Sequence, residues 1–116
     1  MSRLAYAALI AGLIATPALA APDGATLFGQ QCKICHQAKS SPLAPSLIGV
    51  YGRKMGSLPD FNYSPGVKAK GGVWNDANLD KWLSGPSAFI PGAKMVINVP
   101  AAENRAAVIG YLKTLK

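Results

Sequence analysis

The sequence predicts an all-α domain with three main helices and long connecting loops. Three stretches carry apolar residues at helical spacing, and no stretch alternates between apolar and polar residues as a half-buried strand does. The length of 116 residues allows one ordinary domain. Half of the residues are hydrophobic and 15% are charged, so the chain can pack a core and is not a basic disordered tail.

Residues 1–20 have the pattern of a secretory signal and are not expected to belong to the domain. Arg3 precedes an apolar run of twelve residues, after which come Pro17 and the small residues around Ala20. This pattern predicts cleavage between Ala20 and Ala21, a mature domain of residues 21–116 and a periplasmic protein. The run is shorter than the ~20 apolar residues of a spanning helix, so an uncleaved anchor is the weaker alternative.

The predicted mature chain is cationic. Loss of Arg3 with the signal leaves eleven basic and five acidic residues, a net charge of +6. Export and low charge density argue against a nucleic-acid partner. We expect instead acidic docking patches on partner proteins, where electrostatics mainly accelerates association. A monomer is expected.

Three helices are predicted along this domain. The first covers residues 24–35 and begins after Asp23, a good N-cap residue. The second lies between its N-cap, Asn75, and the stop signal Gly85-Pro86, and the third begins after Pro100. Their apolar stripes are Leu79, Trp82 and Leu83 in the second helix, and Val108, Tyr111, Leu112 and Leu115 in the third.

Two cysteines and the single histidine of the chain lie together in Cys32-Lys33-Ile34-Cys35-His36. A redox-active disulfide of the thioredoxin kind needs a strand before the pair, whereas a helix is predicted there. A structural zinc site needs four Cys or His ligands, and this chain has three such residues in total.

Covalent haem is the interpretation that this motif favours. Two thiols at this spacing on a helix can add to the two vinyl groups of a porphyrin, and the histidine that follows reaches the iron. Export agrees, because haem is attached to such chains outside the cytoplasm. The sequence therefore predicts one covalent haem c bound by Cys32 and Cys35, with His36 as an iron ligand. The second ring nitrogen of His36 should donate to a backbone carbonyl within residues 42–45.

Two methionines of the mature chain are candidates for the other iron ligand. Met55 lies in a short polar turn of the kind found at a surface. Met95 follows the Pro91-Gly92 turn and precedes two apolar residues that can pack. The alternative role for Met95 is a flexible core filler, which is what most methionines are.

The long connection before the second helix also indicates a large internal group. Residues 37–72 hold six glycines and four prolines in 36 positions, without a convincing helix. Such a connection argues against a compact domain unless it covers something. We expect it to wrap around the haem, and we expect the apoprotein to be largely unfolded. Its large apolar residues are Leu43, Leu47, Ile48, Tyr51, Phe61 and Tyr63.

The chain resembles the class I cytochromes c, in the mitochondrial-like and bacterial c2 or c-550 branch, from Gly24 to Leu112. The matching segments are Cys32-Lys33-Ile34-Cys35-His36, Ala44-Pro45-Ser46-Leu47, Gly49-Val50-Tyr51-Gly52-Arg53-Lys54, Phe61-Asn62-Tyr63-Ser64, Trp74, Trp82-Leu83, Ile90-Pro91-Gly92-Ala93-Lys94-Met95, Arg105 and Tyr111-Leu112.

The resemblance implies roles for several of these residues. His36 and Met95 would be the axial ligands, and the Pro45 carbonyl would accept the ring N–H of His36. A buried haem propionate would be held by Arg53, Tyr63 and Trp74, since a buried carboxylate is costly unless it is paired. Gly24 and Phe28 would cross the last helix at Val108 and Tyr111.

Four residues depart from the family pattern. Ala93 stands where many relatives carry Thr, and Val67 stands where they often carry Asn. Trp82 replaces a common Tyr, so a drier and simpler hydrogen-bond network beside the methionine is expected. Ser87 replaces a lysine, which leaves only Lys94 close to Met95.

With both axial positions filled, the resemblance implies a soluble one-electron carrier between respiratory or photosynthetic redox proteins, and not an enzyme. A thioether ligand and an apolar pocket both favour Fe(II) and raise the potential. Two alternatives remain at this point. One is a haem enzyme or gas sensor with an open iron site, in which Met95 only packs, and the other is a disulfide-bonded binding module without haem.

Overall fold

The computed structural model describes Gly12 and residues 23–116. Within the described part, helices α1 (Gly24–Gln31), α2 (Pro65–Lys70), α3 (Asp76–Ser84), α4 (Pro86–Phe89) and α5 (Ala102–Leu112) follow in that order. Lys54 and Val73 form an isolated antiparallel bridge, and these residues contain no longer strand. The all-α class is therefore confirmed. Apart from Gly12, the predicted signal segment lies outside the described residues.

The predicted starts of the first two main helices are present as capped N-termini. The Asp23 carboxylate accepts a hydrogen bond from the Thr26 amide at 2.7 Å, and the Asn75 side chain accepts one from the Asn78 amide at 2.9 Å. Each bond satisfies an amide that has no partner within its helix. The third predicted helix is α5, which begins shortly after Pro100 as expected.

The predicted end of the first helix is wrong. Helix α1 stops at Gln31, because the amides of Cys32 and Lys33 both donate to the Phe28 carbonyl and so end the regular ladder. The amides of Cys35 and His36 then donate to the Cys32 carbonyl, at 3.1 and 2.9 Å. The thiol pair therefore lies in a hydrogen-bonded turn after the helix, and not on one helical face.

Two short helices, α2 and α4, were not predicted from the sequence. The Ser64 hydroxyl caps α2, with Pro65 in its first turn, and Pro86 begins α4 directly after the stop at Gly85. A capping residue followed by proline is a recognised helix start. However, six and four residues are too few to show the apolar periodicity on which the prediction depended.

Helices α1 and α5 cross closely at Gly24. A Cβ atom on Gly24 would overlap the Ala107 carbonyl oxygen and lie 2.9 Å from the Cβ of Tyr111. Nearby, the rings of Phe28 and Tyr111 pack with their centroids 5.0 Å apart. The crossing that the resemblance implied is therefore present, and glycine is needed for it.

We expect Gly24→Ala to destabilise the haem-loaded protein by about 2–3 kcal/mol, since an added methyl group must push two helix backbones apart. Denaturant unfolding measures the effect. Gly29→Ala is the matched control: it lies in the same helix, is exposed, and its Cβ would meet nothing within 4 Å. The control should gain roughly 0.5–1 kcal/mol from helix propensity. Equal effects of the two substitutions would contradict the close crossing.

Arg105 connects α5 to α3 and to the segment that follows Met95. Its Nε donates to Asp80 on α3 at 2.7 Å, and its Nη1 donates to the carbonyls of Val99 and Pro100 at 3.1 and 2.8 Å. The Val99 amide in turn donates to the Leu83 carbonyl at 2.7 Å. These bonds fix the end of the segment that carries Met95.

Candidate haem site

A cavity of about 710 Å³ lies between α1, α3, α5 and the connecting loops. Its size falls within the range of cofactor sites, roughly 300–1,000 Å³. All four residues predicted to bind haem or its iron line this one cavity: Cys32, Cys35, His36 and Met95. Buried core residues such as Leu79, Leu83, Val108 and Leu112 line it as well.

Both cysteines carry free thiols. Cys32 is buried and Cys35 is exposed, so the pair extends from the cavity wall towards its mouth. Burial raises the pKa of the Cys32 thiol. Among the described residues, no cluster of three His, Cys, Asp or Glu side chains is placed to hold a metal ion.

His36 is held in one tautomer. Its Nδ1 lies 2.9 Å from the Pro45 carbonyl oxygen, which can only accept, so Nδ1 carries the proton and Nε2 keeps its lone pair. Burial lowers the pKa of the imidazole, although the bond to Pro45 opposes this shift. A neutral imidazole with a free Nε2 is the form that binds iron. The acceptor implied by the resemblance is confirmed.

The sulfur of Met95 receives a hydrogen bond that the sequence did not reveal. Trp82, on α3, donates from its indole Nε1 to the Met95 Sδ at 3.1 Å. The Trp82 ring also packs edge-on against Trp74, with the ring centroids 5.4 Å apart. A simpler hydrogen-bond network was expected beside the methionine, and Trp82 still supplies one hydrogen bond there. This hydrogen bond orients the Met95 thioether.

Met55 is not a surface residue, so this prediction was wrong. Its side chain is 2% exposed and belongs to the hydrophobic core. The turn that carries Met55 is covered by α2, since a Cβ on Gly56 would lie 2.9 Å from the Lys68 Cα. Met55 is absent from the cavity lining, and Met95 is the methionine that the described residues place there.

Hydrogen-bond donors gather on another part of the cavity wall, at Arg53, Tyr63 and Trp74. The Arg53 guanidinium donates to the Ser46 and Ile48 carbonyls at 2.8 and 3.1 Å. Burial lowers the pKa of Arg53, while Tyr63 and Asp60 raise it. The Tyr63 oxygen accepts from the Leu58 amide, which leaves its own O–H free to donate. A half-buried cation beside a phenol and an indole suits a carboxylate ligand.

Apolar side chains form the mouth of the cavity. Ile34, Leu43, Val96 and Ile97 all line it, yet they are 75, 72, 90 and 46% exposed. We call these four residues the rim. Of the six loop residues expected to wrap the haem, four line the cavity, namely Leu43, Leu47, Phe61 and Tyr63, whereas Ile48 and Tyr51 do not.

The donor set of this cavity fits a covalent haem. Its walls are apolar enough for a porphyrin ring, and two thiols, an imidazole and a thioether meet on them. The donors at Arg53, Tyr63 and Trp74 match the carboxylates that a porphyrin carries. An ordinary hydrophobic core is not expected to combine apolar walls with polar donors that lack partners of their own, because burying such donors is costly.

Known proteins are similar to this chain in sequence and in fold. The sequence model of the cytochrome c family matches residues 21–116. Cytochrome c2 of Rhodomicrobium vannielii is 45% identical over 91 residues, covering 73% of this chain and 71% of that protein. Cytochrome c2 iso-1 of Magnetospirillum molischianum is 46% identical over 91 residues, covering 74% and 91%. The structure of cytochrome cH from Methylobacterium extorquens has a TM-score of 0.72 at 34% identity, covering 80% of this chain and 99% of that chain.

The chain belongs to the cytochrome c family. Its similarity to the c2 proteins places it with the class I cytochromes c of the c2 branch. It is an electron carrier with one covalent c-type haem, and the open-site enzyme or sensor is not favoured. The predicted family, fold and cofactor are confirmed, and the disulfide-bonded module without haem is not supported.

Proposed function

We propose that Cys32 and Cys35 hold the haem and that His36 and Met95 bind its iron from the two faces, so that this chain carries single electrons and performs no substrate chemistry. One observation supports this assignment: the four side chains line a single cavity. When bound, the haem supplies a one-electron Fe(II)/Fe(III) couple.

The protein holds both proposed iron ligands in place through hydrogen bonds. The Pro45 carbonyl holds the His36 imidazole at 2.9 Å, and the Trp82 indole holds the Met95 thioether at 3.1 Å. Side chains held in this way would change position little between the two oxidation states of a bound haem. Little reorganisation is then needed, which suits a carrier that exchanges electrons quickly.

Optical spectroscopy and mass spectrometry of the purified mature protein test this assignment. Covalent haem should add the mass of one haem to the chain, and the ferric protein should show a methionine-to-iron charge-transfer band. The reduced protein at neutral pH should not bind CO rapidly. Rapid CO binding would reveal a vacant iron face and contradict ligation by Met95.

Trp82→Phe is expected to lower the reduction potential by roughly 20–60 mV, corresponding to about 0.5–1.4 kcal/mol for one hydrogen bond. The indole N–H withdraws electron density from the sulfur and so disfavours Fe(III), and phenylalanine cannot replace it. Redox titration measures the shift. Tyr111→Phe is the control, because it also removes one polar hydrogen but lies outside the cavity lining. If Tyr111→Phe shifted the reduction potential by the same amount, the effect of Trp82→Phe would not be due to the hydrogen bond to Met95.

We also propose that the protein works in the periplasm, after cleavage of residues 1–20. The signal pattern and the family-model match to residues 21–116 support this location. Among the described residues, no helix has both the length and the apolar character needed to span a membrane. N-terminal sequencing of the periplasmic protein tests the cleavage, and an intact Met1 would contradict it.

Its partners are proposed to be oxidases, reductases or reaction centres with acidic docking patches. The net charge of +6 on the mature chain supports this. We expect the second-order oxidation rate on membranes of the source organism to fall roughly tenfold between low and physiological salt. Stopped-flow kinetics at several ionic strengths measures it. A rate that does not depend on salt would contradict electrostatic steering.

A further inference from the structure

The peptide group between Pro45 and Ser46 makes a hydrogen bond at each of its two ends. Its carbonyl oxygen, on Pro45, accepts from the His36 Nδ1 at 2.9 Å. Its N–H, on Ser46, donates to the Ser40 Oγ at 2.9 Å. The imidazole, the peptide group and the serine hydroxyl are therefore joined in one series of hydrogen bonds. We call these four residues the Ser40 network.

Further hydrogen bonds prevent this peptide group from rotating. The Ser46 hydroxyl donates to the Ala38 carbonyl at 2.9 Å, and the Ser46 carbonyl accepts from the Arg53 Nη2 at 2.8 Å. The amide, the hydroxyl and the carbonyl of Ser46 are thus all bonded within the fold. On the other side, the ring of Pro45 restricts the backbone dihedral φ. The Pro45 carbonyl is therefore held in one direction, towards His36.

A hydrogen bond at one end of a peptide group strengthens the bond at its other end. When the N–H donates, the peptide is polarised and its carbonyl oxygen becomes a better acceptor. A better acceptor attracts the Nδ1 proton of His36 more strongly and makes the imidazole a more basic ligand at Nε2. All four residues of the network are half-buried, and polarisation of this kind is stronger there than in bulk water. Ser40 thus acts on the imidazole through the peptide group.

We propose that Ser40 is a positioning residue for the proposed iron ligand His36. By accepting from the Ser46 amide, it orients and polarises the Pro45 carbonyl and so makes the imidazole a stronger electron donor. This inference rests on the proposed ligation by His36. A more basic imidazole favours Fe(III) over Fe(II) in the bound haem. Ser40 therefore opposes the effect of the Met95 thioether, which favours Fe(II).

The alternative role for Ser40 is to stabilise its loop without any effect on the histidine. The same loop contains a second serine with a comparable bond, since the Ser41 Oγ accepts from the Leu43 amide at 3.2 Å. Both serines are half-buried. The Ser41 hydroxyl bond does not involve the peptide group between Pro45 and Ser46. Ser41 is therefore a matched control for the loss of a loop hydrogen bond.

Redox titration of the haem-loaded variants Ser40→Ala and Ser41→Ala tests the proposal. Ser40→Ala should raise the reduction potential. At the midpoint potential of the wild type we expect its ratio of Fe(II) to Fe(III) to rise roughly two- to fivefold, a fraction of the effect of one whole hydrogen bond. Ser41→Ala should leave the ratio as in wild type. Equal ratios in the two variants, or a lower ratio in Ser40→Ala, would overturn the proposal.

NMR of the Fe(II) protein gives a second measurement, which a change in loop stability alone would not move. The resonance of the His36 Nδ1 proton should move upfield in Ser40→Ala, because the hydrogen bond to Pro45 becomes weaker. Ser40→Thr keeps a hydroxyl that accepts from the Ser46 amide, so it should restore both the resonance and the redox ratio. An unchanged resonance in Ser40→Ala, or a Ser40→Thr protein that behaves like Ser40→Ala, would overturn the proposal.

The same NMR spectra separate this proposal from the proposed iron ligation. In the Fe(II) wild type, the ring-carbon protons of an iron-bound His36 should be shifted strongly upfield by the ring current of the porphyrin. If they are not shifted, ligation by His36 fails whatever the serine variants do. If they are shifted and Ser40→Ala matches the wild type in ratio and in Nδ1 resonance, only the role of Ser40 fails.

Discussion

Replacement of Met95 with Ala is expected to lower the reduction potential by roughly 0.1–0.3 V, because axial ligands set haem potentials over a range of about 0.8 V. Alanine offers no thioether, so the side that Met95 occupies would be left to water or to an external ligand. The charge-transfer band should vanish, and the reduced variant should bind CO rapidly. Redox titration and CO-binding kinetics measure both changes.

Met55→Leu is the control for this experiment. Met55 is the other methionine of the described chain, and it is buried in the core away from the cavity. Exchange for leucine conserves its volume and should cost less than about 1.5 kcal/mol of stability. The potential and the CO response should stay as in wild type. If the Met55→Leu protein lost the charge-transfer band while the Met95→Ala protein kept it, the iron ligand would be Met55 and the assignment to Met95 would be wrong.

Local signals in the sequence were sufficient for the starts of the main helices and for much of the site. Asp23 and Asn75 cap α1 and α3 through bonds that span three residues, so a short window contains all the information. The thiols and the histidine are contiguous in sequence. The resemblance also correctly supplied the Pro45 carbonyl, nine residues from His36.

Features that depend on packing between distant segments could not be predicted in this way. Met55 looks like a surface residue because its neighbours in sequence are polar or glycine, but α2 covers the turn. The α2 helix was not predicted from the sequence, so the burial of Met55 beneath it could not be predicted either. The end of α1 at Gln31 depends on two amides sharing the Phe28 carbonyl, a choice that propensities do not encode.

The contact between Trp82 and Met95 illustrates the same limit in the site. The two residues are 13 positions apart, and the sequence showed only that Trp82 departs from the family pattern. An indole N–H has the chemistry to replace a phenol O–H as a donor. Whether it reaches the sulfur depends on how α3 is placed, which the helix pattern alone does not give.

The positions of the surface charges relative to one another could not be predicted from the sequence either. Net charge predicted acidic partners, but Lys70 and Lys81 lie eleven positions apart and on different helices. In the fold their Nζ atoms lie 4.8 and 6.0 Å from the centroid of the Phe89 ring. This convergence depends on α4, a four-residue helix that lies where the sequence suggested only a stop. A net charge predicts how fast partners meet, whereas the fold decides where they meet.

The chain without haem is expected to be unfolded, and the cavity gives the reason. A cavity of about 710 Å³ leaves the apolar side chains that line it without packing partners on one side, so the dispersion contacts that normally stabilise a core are lost there. Water can enter the open side, but most of the wall is apolar and offers it few hydrogen bonds. The loops can relieve this cost only by collapsing or by releasing the helices.

Circular dichroism of a Cys32→Ser, Cys35→Ser variant, in which no thiol can hold the haem, measures this effect. We expect most of the helical signal to be lost and no cooperative unfolding transition to remain. The haem-loaded wild type, with its α1–α5 crossing intact, is the control and should unfold cooperatively. A cooperative transition in the haem-free variant would mean that the protein core at Leu27, Val108 and Leu112 suffices alone, and that the haem adds redox chemistry without holding the fold together.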